Sequence, residues 1–215
     1  MFKSMLKKEF TELAAPFLLA FGVLATVIVQ AVSQSRRHFD QQGAWMLDAD
    51  FVHPFLIISL CLAAAMGLVQ SLSEDVQGTW RYVLSFPGGW RRILKLKLAC
   101  GLAVWLCWGS VVVALSFLGM FFERGPDAEP LQNLFDPVLR ILVCVPVVYL
   151  GAFLTALRRA NWFFSRLMPA VGALACWFIL PYLPTWWIVA PLATVVLGAV
   201  LIILMFHVAS TRDFA

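Results

Sequence analysis

Charge is what this sequence has least of. Asp, Glu, Lys and Arg make up 13% of its 215 residues, about half the roughly 25% typical of a soluble globular chain. Hydrophobic residues make up 62%, and mean hydropathy is +0.87. With so few polar side chains, a globule cannot cover itself for water. The same shortage excludes disorder, a coiled coil and collagen. The five cysteines (Cys61, Cys100, Cys107, Cys144 and Cys176) all lie in apolar runs, and none has CxxC spacing. That argues against a disulfide framework or a zinc site and for small buried hydrophobes. No GxxxxGK[ST] and no GxGxxG occurs, so the chain carries neither common nucleotide-binding signature. No His, Asp and Glu cluster stands at ligand spacing, so no metal site is expected. Ser110 and Ser116 have no histidine at similar depth, which argues against an intramembrane serine protease. Net charge is +4, too mild for a nucleic-acid footprint.

What is present is a series of long apolar runs. A membrane helix needs about 20 mostly apolar residues. Six stretches reach or approach that length, at 14–32, 51–70, 98–122, 141–157, 167–183 and 186–207, and none contains Asp, Glu, Lys or Arg. The expected fold is an all-α membrane protein: six transmembrane helices over 14–207, preceded by an N-terminal amphipathic interfacial helix. Only Pro184 and Thr185 separate the last two runs, and Pro181 and Pro184 leave a re-entrant arrangement open beside a tight hairpin.

Orientation follows from Lys and Arg, which concentrate in cytoplasmic loops. Twelve of the 16 fall on the side that holds both termini, and four (Arg36, Arg37, Arg124 and Arg140) on the other. Both termini are therefore expected to be cytoplasmic. Residues 1–13 place Phe2, Met5, Leu6, Phe10 and Leu13 at helical spacing on one face, with Lys3, Lys7, Lys8 and Glu12 mainly on the other. This pattern predicts a helix lying in the membrane interface. The apolar run after it is longer than a signal-peptide core and no A-x-A site follows, so a retained helix is expected. Trp90 and Trp162 fall at the inner boundary and Trp45, Trp186 and Trp187 at the outer one, as headgroup-level belts do. Trp105, Trp108 and Trp177 lie deeper and are read as packing. A core without ionisable groups argues against a proton-driven carrier. Any transport work would then draw its energy from another subunit.

The longest cytoplasmic connection, 71–97, has structure written into it. Gly78, Gly88 and Gly89 permit turns. Thr79 can cap a short helix over 80–86 that Pro87 ends. The stretch 90–98 is expected to put Arg91, Arg92, Lys95 and Lys97 beside lipid phosphates. A short helix parallel to the membrane, preceded by charges, makes a docking surface.

The pattern Glu74-Asp75-x-x-Gly78-Thr79-x5-Ser85-x-Pro87, followed by a basic residue at the start of the third run, resembles ABC-2-type permeases. It is also similar to the haem-exporter permease family of cytochrome c maturation (the B component). Val83-Leu84-Ser85-Phe86-Pro87 stands where those families have a Leu-Leu-x-x-Pro-like stretch. The overall plan matches as well, down to the tail 208–215 with Arg212 and Asp213. The resemblance implies the membrane half of an ATP-binding-cassette transporter, not itself an enzyme and without catalytic residues. Two permease chains, identical or related, would pair in the membrane lipid and dock two copies of a separate ATPase subunit, which carries the ATP and Mg. The docking role falls on Glu74, Asp75, Gln77, Gly78, Thr79, Trp80 and Arg81. The implied setting is a bacterial inner membrane and the implied direction is export. No substrate residues match a known pattern; an uncharged lumen would suit a lipid-like, haem-like or other amphipathic cargo. No nucleic-acid partner is expected. The alternatives are a non-transporting anchor or assembly subunit of a larger complex and, more remotely, an intramembrane enzyme.

Overall fold

The computed structural model describes residues 2–42, 49–76, 89–123, 132–157, 163–179 and 186–211, all of them helical. These are α1 (Phe2–Gln42), α2 (Ala49–Val76), α3 (Gly89–Glu123), α4 (Gln132–Leu157), α5 (Phe163–Ile179) and α6 (Trp186–Thr211). The described residues are thus all-α, in six helices. Four of them contain segments long and apolar enough to cross a membrane: Leu6–Gln30, Pro54–Ser73, Trp90–Ala114 and Ile188–Thr211. The apolar parts of α4 and α5 are shorter, Val143–Leu157 and Arg166–Ile179. The 17 residues of α5 extend about 25 Å at 1.5 Å per residue, less than the hydrocarbon thickness of about 30 Å.

Residues 2–13 and the first apolar run form one rod. α1 runs unbroken for 41 residues, with Pro16 inside it. Its inward face continues across that point through Glu9, Leu13, Ala20 and Leu24, all buried. Leu6 packs against the same core. Burial of a continuous stripe holds the helix together where proline removes one hydrogen bond.

α4 is the innermost helix. Every residue from Val147 to Leu157 is buried, because α2, α3, α5 and α6 all pack on it, α2 most extensively. Small residues make the close approaches possible. A Cβ on Gly67 of α2 would stand 2.8 Å from the Phe153 nitrogen and 2.9 Å from the Ala152 Cβ of α4. A Cβ on Gly151 of α4 would stand 2.5 Å from the Ala173 Cβ and 2.8 Å from the Pro169 carbonyl oxygen of α5. Such contacts let helix backbones meet where apolar surroundings give no other drive to associate. Pro169 interrupts its own helix. The next amide, Ala170 N–H, donates to Thr155 Oγ1 on α4 at 3.0 Å, so a neighbouring helix helps to satisfy the backbone beside the proline.

The outer faces are apolar. Leu18 and Leu19 on α1, Leu106 on α3, and Ile188, Leu192, Val195 and Ile203 on α6 are all more than 60% exposed. Contiguous apolar surface of this kind is foreign to a soluble monomer and compatible with a membrane protein.

Candidate functional site

Four helices each contribute one polar side chain to a single buried cluster. Glu9 comes from α1, Gln70 from α2, Lys97 from α3 and Tyr149 from α4, and none is more than 2% exposed. Lys97 Nζ donates to Glu9 Oε1 at 2.5 Å and to the Gln70 carbonyl at 3.2 Å. Gln70 Nε2 donates to Glu9 Oε2 at 3.3 Å and to the Lys97 carbonyl at 3.1 Å. Tyr149 Oη donates to Gln70 Oε1 at 2.7 Å. Both amide hydrogens and the amide oxygen of Gln70 are therefore used. The ammonium and carboxylate are paired and further hydrogen-bonded, which is the condition under which buried charge is tolerated.

The four residues are level with one another. Each lies six to eight residues from the nearer end of its helix, about 9–12 Å along the axis. These are the starts of α1 and α3 and the ends of α2 and α4, so the cluster sits at the end of the bundle where residues 77–88 join α2 to α3. Ser73, one turn nearer the end of α2 than Gln70, donates from Oγ to Glu12 Oε2 at 2.9 Å, and Lys8 pairs with Glu12 at 3.6 Å. Farther in, Trp108 Nε1 donates to Ser59 Oγ at 2.9 Å, and Phe17 meets the Trp108 ring edge-on at 6.0 Å between centroids. Polar contacts thus tie α1 to α2, and α2 to α3, at more than one level.

This cluster corrects the reading of a core without ionisable groups. Glu9 and Lys97 fall just outside the apolar runs 14–32 and 98–122, yet both are enclosed. Of the basic residues in 90–98, Arg91, Arg92 and Lys95 are exposed, while Lys97 turns inward to Glu9 rather than outward to phosphates. A periodic signal was available. Leu94, Lys97, Gly101, Val104 and Trp108 recur at the three- and four-residue spacing of one helix face, and Leu94, Val104 and Trp108 are buried. A charge on an otherwise apolar stripe requires a partner of opposite sign, and Glu9 stands on the corresponding stripe of α1.

The residues expected to dock an ATPase are placed only in part. Glu74 and Asp75 belong to the last turn of α2, one turn beyond Gln70. Gln77, Gly78, Thr79, Trp80 and Arg81 lie outside the described residues. Of the residues expected on the interfacial face, Leu6 is half-buried and Phe10 is 45% exposed; the side chains of Phe2 and Met5 lie outside the described set. Among the described residues, no three His, Cys, Asp or Glu groups stand together so as to hold a metal ion.

The arrangement joins four helices as a clamp. Its neutral arm can be tested separately from its charges. Tyr149→Phe leaves Gln70 Oε1 buried without its donor and is expected to cost about 1–3 kcal/mol, read as a lower unfolding midpoint in a denaturing-detergent titration. Gly101→Ala should act on the same bond, because a Cβ there would overlap the Tyr149 phenol. Compared with family models, with curated proteins and with solved structures, the chain shows no match.

Proposed function

We propose that this chain is the membrane-spanning permease subunit of an ATP-binding-cassette transporter of the ABC-2 type, an exporter driven by a separate ATPase. In this reading all six helices cross a bacterial inner membrane with both termini in the cytoplasm. A second permease chain completes the pathway, and an ATPase subunit docks on the connection between α2 and α3. The observation that carries the reading is the buried cluster of Glu9, Gln70, Lys97 and Tyr149. It ties the two helices flanking that connection to each other, to α1 and to α4, within about two turns of its ends. A push delivered at residues 77–88 would then move four helices together instead of bending two. Rigid-body movement of that kind is how a closing partner can change access to a pathway. The acid-x-x-x-Gly-Thr pattern at Glu74–Thr79 and the lack of a nucleotide-binding motif in the chain support the same division of labour.

The test is to purify the tagged chain from its native host in mild detergent and identify what accompanies it. The expected result is a stoichiometric partner containing a P-loop. Recovery alone, or with partners lacking any nucleotide site, overturns the reading in favour of a non-transporting anchor. Within a recovered complex, Glu74→Lys combined with Gly78→Pro is expected to abolish coupling of ATP hydrolysis to the permease while the chain stays in the membrane. Unchanged substrate-stimulated hydrolysis would remove the docking assignment.

A further inference from the structure

On the outside of the bundle α1 and α3 do not close on each other completely. They leave a cleft of about 240 Å³ lined by Phe10, Leu13, Ala14 and Phe17 of α1 and Val104 and Cys107 of α3. None of these six side chains is charged. Phe10 and Cys107 are exposed, so the cleft opens outward. Leu18 and Leu19 beyond it on α1 and Leu106 on α3 are exposed and apolar as well.

The end of the cleft nearer the helix starts has the opposite character. Lys7 lies three residues before Phe10, on the same face of α1, and is exposed. Arg91, Arg92 and Lys95 occupy the first two turns of α3 and are exposed too. The Arg91 guanidinium lies 5.3 Å from the centre of the Trp90 ring. The acidic side chains described at this end are engaged elsewhere: Glu9 with Lys97 and Gln70, Glu12 with Lys8 and Ser73. Helical spacing puts Lys7 on the Phe10 side of α1 and Arg92 within about 60° of Cys107 on α3, so two cations stand toward this end of the apolar slot with no described carboxylate to neutralise them.

We propose that this cleft binds one acidic phospholipid, an acyl chain lying between α1 and α3 and its headgroup phosphate held by Lys7 and Arg92. Charge complementarity selects the occupant. The slot matches a hydrocarbon tail, the rim matches an anion, and a phospholipid supplies the two in that order along a helix axis. Lys and Arg side chains can lay their stems along apolar surface while their charged ends reach a phosphate. The apolar surfaces flanking the opening admit such a molecule sideways from a bilayer. The proposal needs only that the chain lie in a membrane; it stands whether or not an ATPase partner exists.

Cys107 reports directly on occupancy, and exposed Cys61 on α2, outside the cleft lining, is an internal control. The full chain in mild detergent is alkylated with N-ethylmaleimide and the two cysteines are followed by peptide mass spectrometry as lipid is added. Phosphatidylglycerol is expected to slow alkylation of Cys107 and not of Cys61, and phosphatidylcholine to slow neither. Each cation near an anionic lipid contributes about fivefold, so Lys7→Gln with Arg92→Gln should raise the phosphatidylglycerol needed by about 25-fold. Both side chains are exposed, so this variant keeps the buried clamp. In native mass spectrometry, Ala14→Phe, which fills the slot, should lose co-purifying acidic lipid. Equal protection by the two lipids, equal protection of the two cysteines, or indifference to the double substitution overturns the site. Recovery of the chain in the soluble fraction without detergent overturns it as well, together with the membrane reading.

Discussion

Replacing Lys97 by methionine is expected to destabilise the bundle by about 3–5 kcal/mol, the cost of leaving one member of a buried ion pair without its partner. The size of the effect comes from what is left behind. Glu9 is 2% exposed and would lose its ammonium partner while keeping the longer, 3.3 Å bond from the Gln70 amide. The Gln70 carbonyl would lose the ammonium that reaches it from α3. The measurement is the unfolding midpoint in a titration of denaturing detergent against a mild one, followed by tryptophan fluorescence. The decisive variant is the double one. Glu9→Gln with Lys97→Met removes both charges at nearly constant volume, and such replacements are often neutral or stabilising by about 1–4 kcal/mol. Recovery of most of the lost stability shows that the cluster is a paired burial. A double variant as damaged as the sum of the singles would show that Glu9 and Lys97 act independently, and the clamp would have to be abandoned.

Gly67→Ile is expected to have the second largest effect, at or above the upper end of the roughly 1–3 kcal/mol usual for overpacking. The obstruction is backbone. A Cβ at Gly67 meets the Tyr149 carbonyl and the Phe153 nitrogen of α4 before it meets any side chain able to rotate away. The only relief is separation of α2 from α4, and that separation would also stretch the 2.7 Å bond from Tyr149 to Gln70 one turn away. Gly67→Ala should already show part of the loss. Gly22 is the control, since nothing lies within 4 Å of a Cβ there; Gly22→Ala is expected to gain about 0.5–1 kcal/mol from helix propensity alone. The same detergent titration reads all three variants. If Gly67→Ile and Gly22→Ala behave alike, the close approach of α2 and α4 is not what holds the centre of the bundle.

Much of the architecture was legible in the sequence. Helix is the only way for an isolated apolar run to satisfy its own backbone in hydrocarbon, so runs such as 51–70 and 186–207 announced helices in advance. α2 covers the whole of 51–70, and α6 covers all of 186–207. Composition likewise announced the exposed apolar faces of α1 and α6. The central place of α4 was not legible. Its run 141–157 looks like the others, and what puts it inside is the set of glycine contacts its neighbours make with it, which depend on crossing geometry rather than on pattern. The buried cluster was missed for a related reason. Scoring runs by the absence of charge set their limits at residues 14 and 98, which left Glu9 and Lys97 outside and assigned Lys97 to lipid phosphates.

The sequence by itself determined that the apolar runs form helices and that their outer faces are apolar, because both follow from side-chain polarity and local hydrogen bonding; it did not foresee that residues 2–13 and the first run would form one helix. Only the tertiary structure decided that Glu9, Gln70, Lys97 and Tyr149 meet. They are separated by 61, 27 and 52 positions along the chain, and no local preference links them. Their meeting depends on helices approaching closely enough, at glycines such as Gly67 and Gly101, for two charges to find each other instead of water.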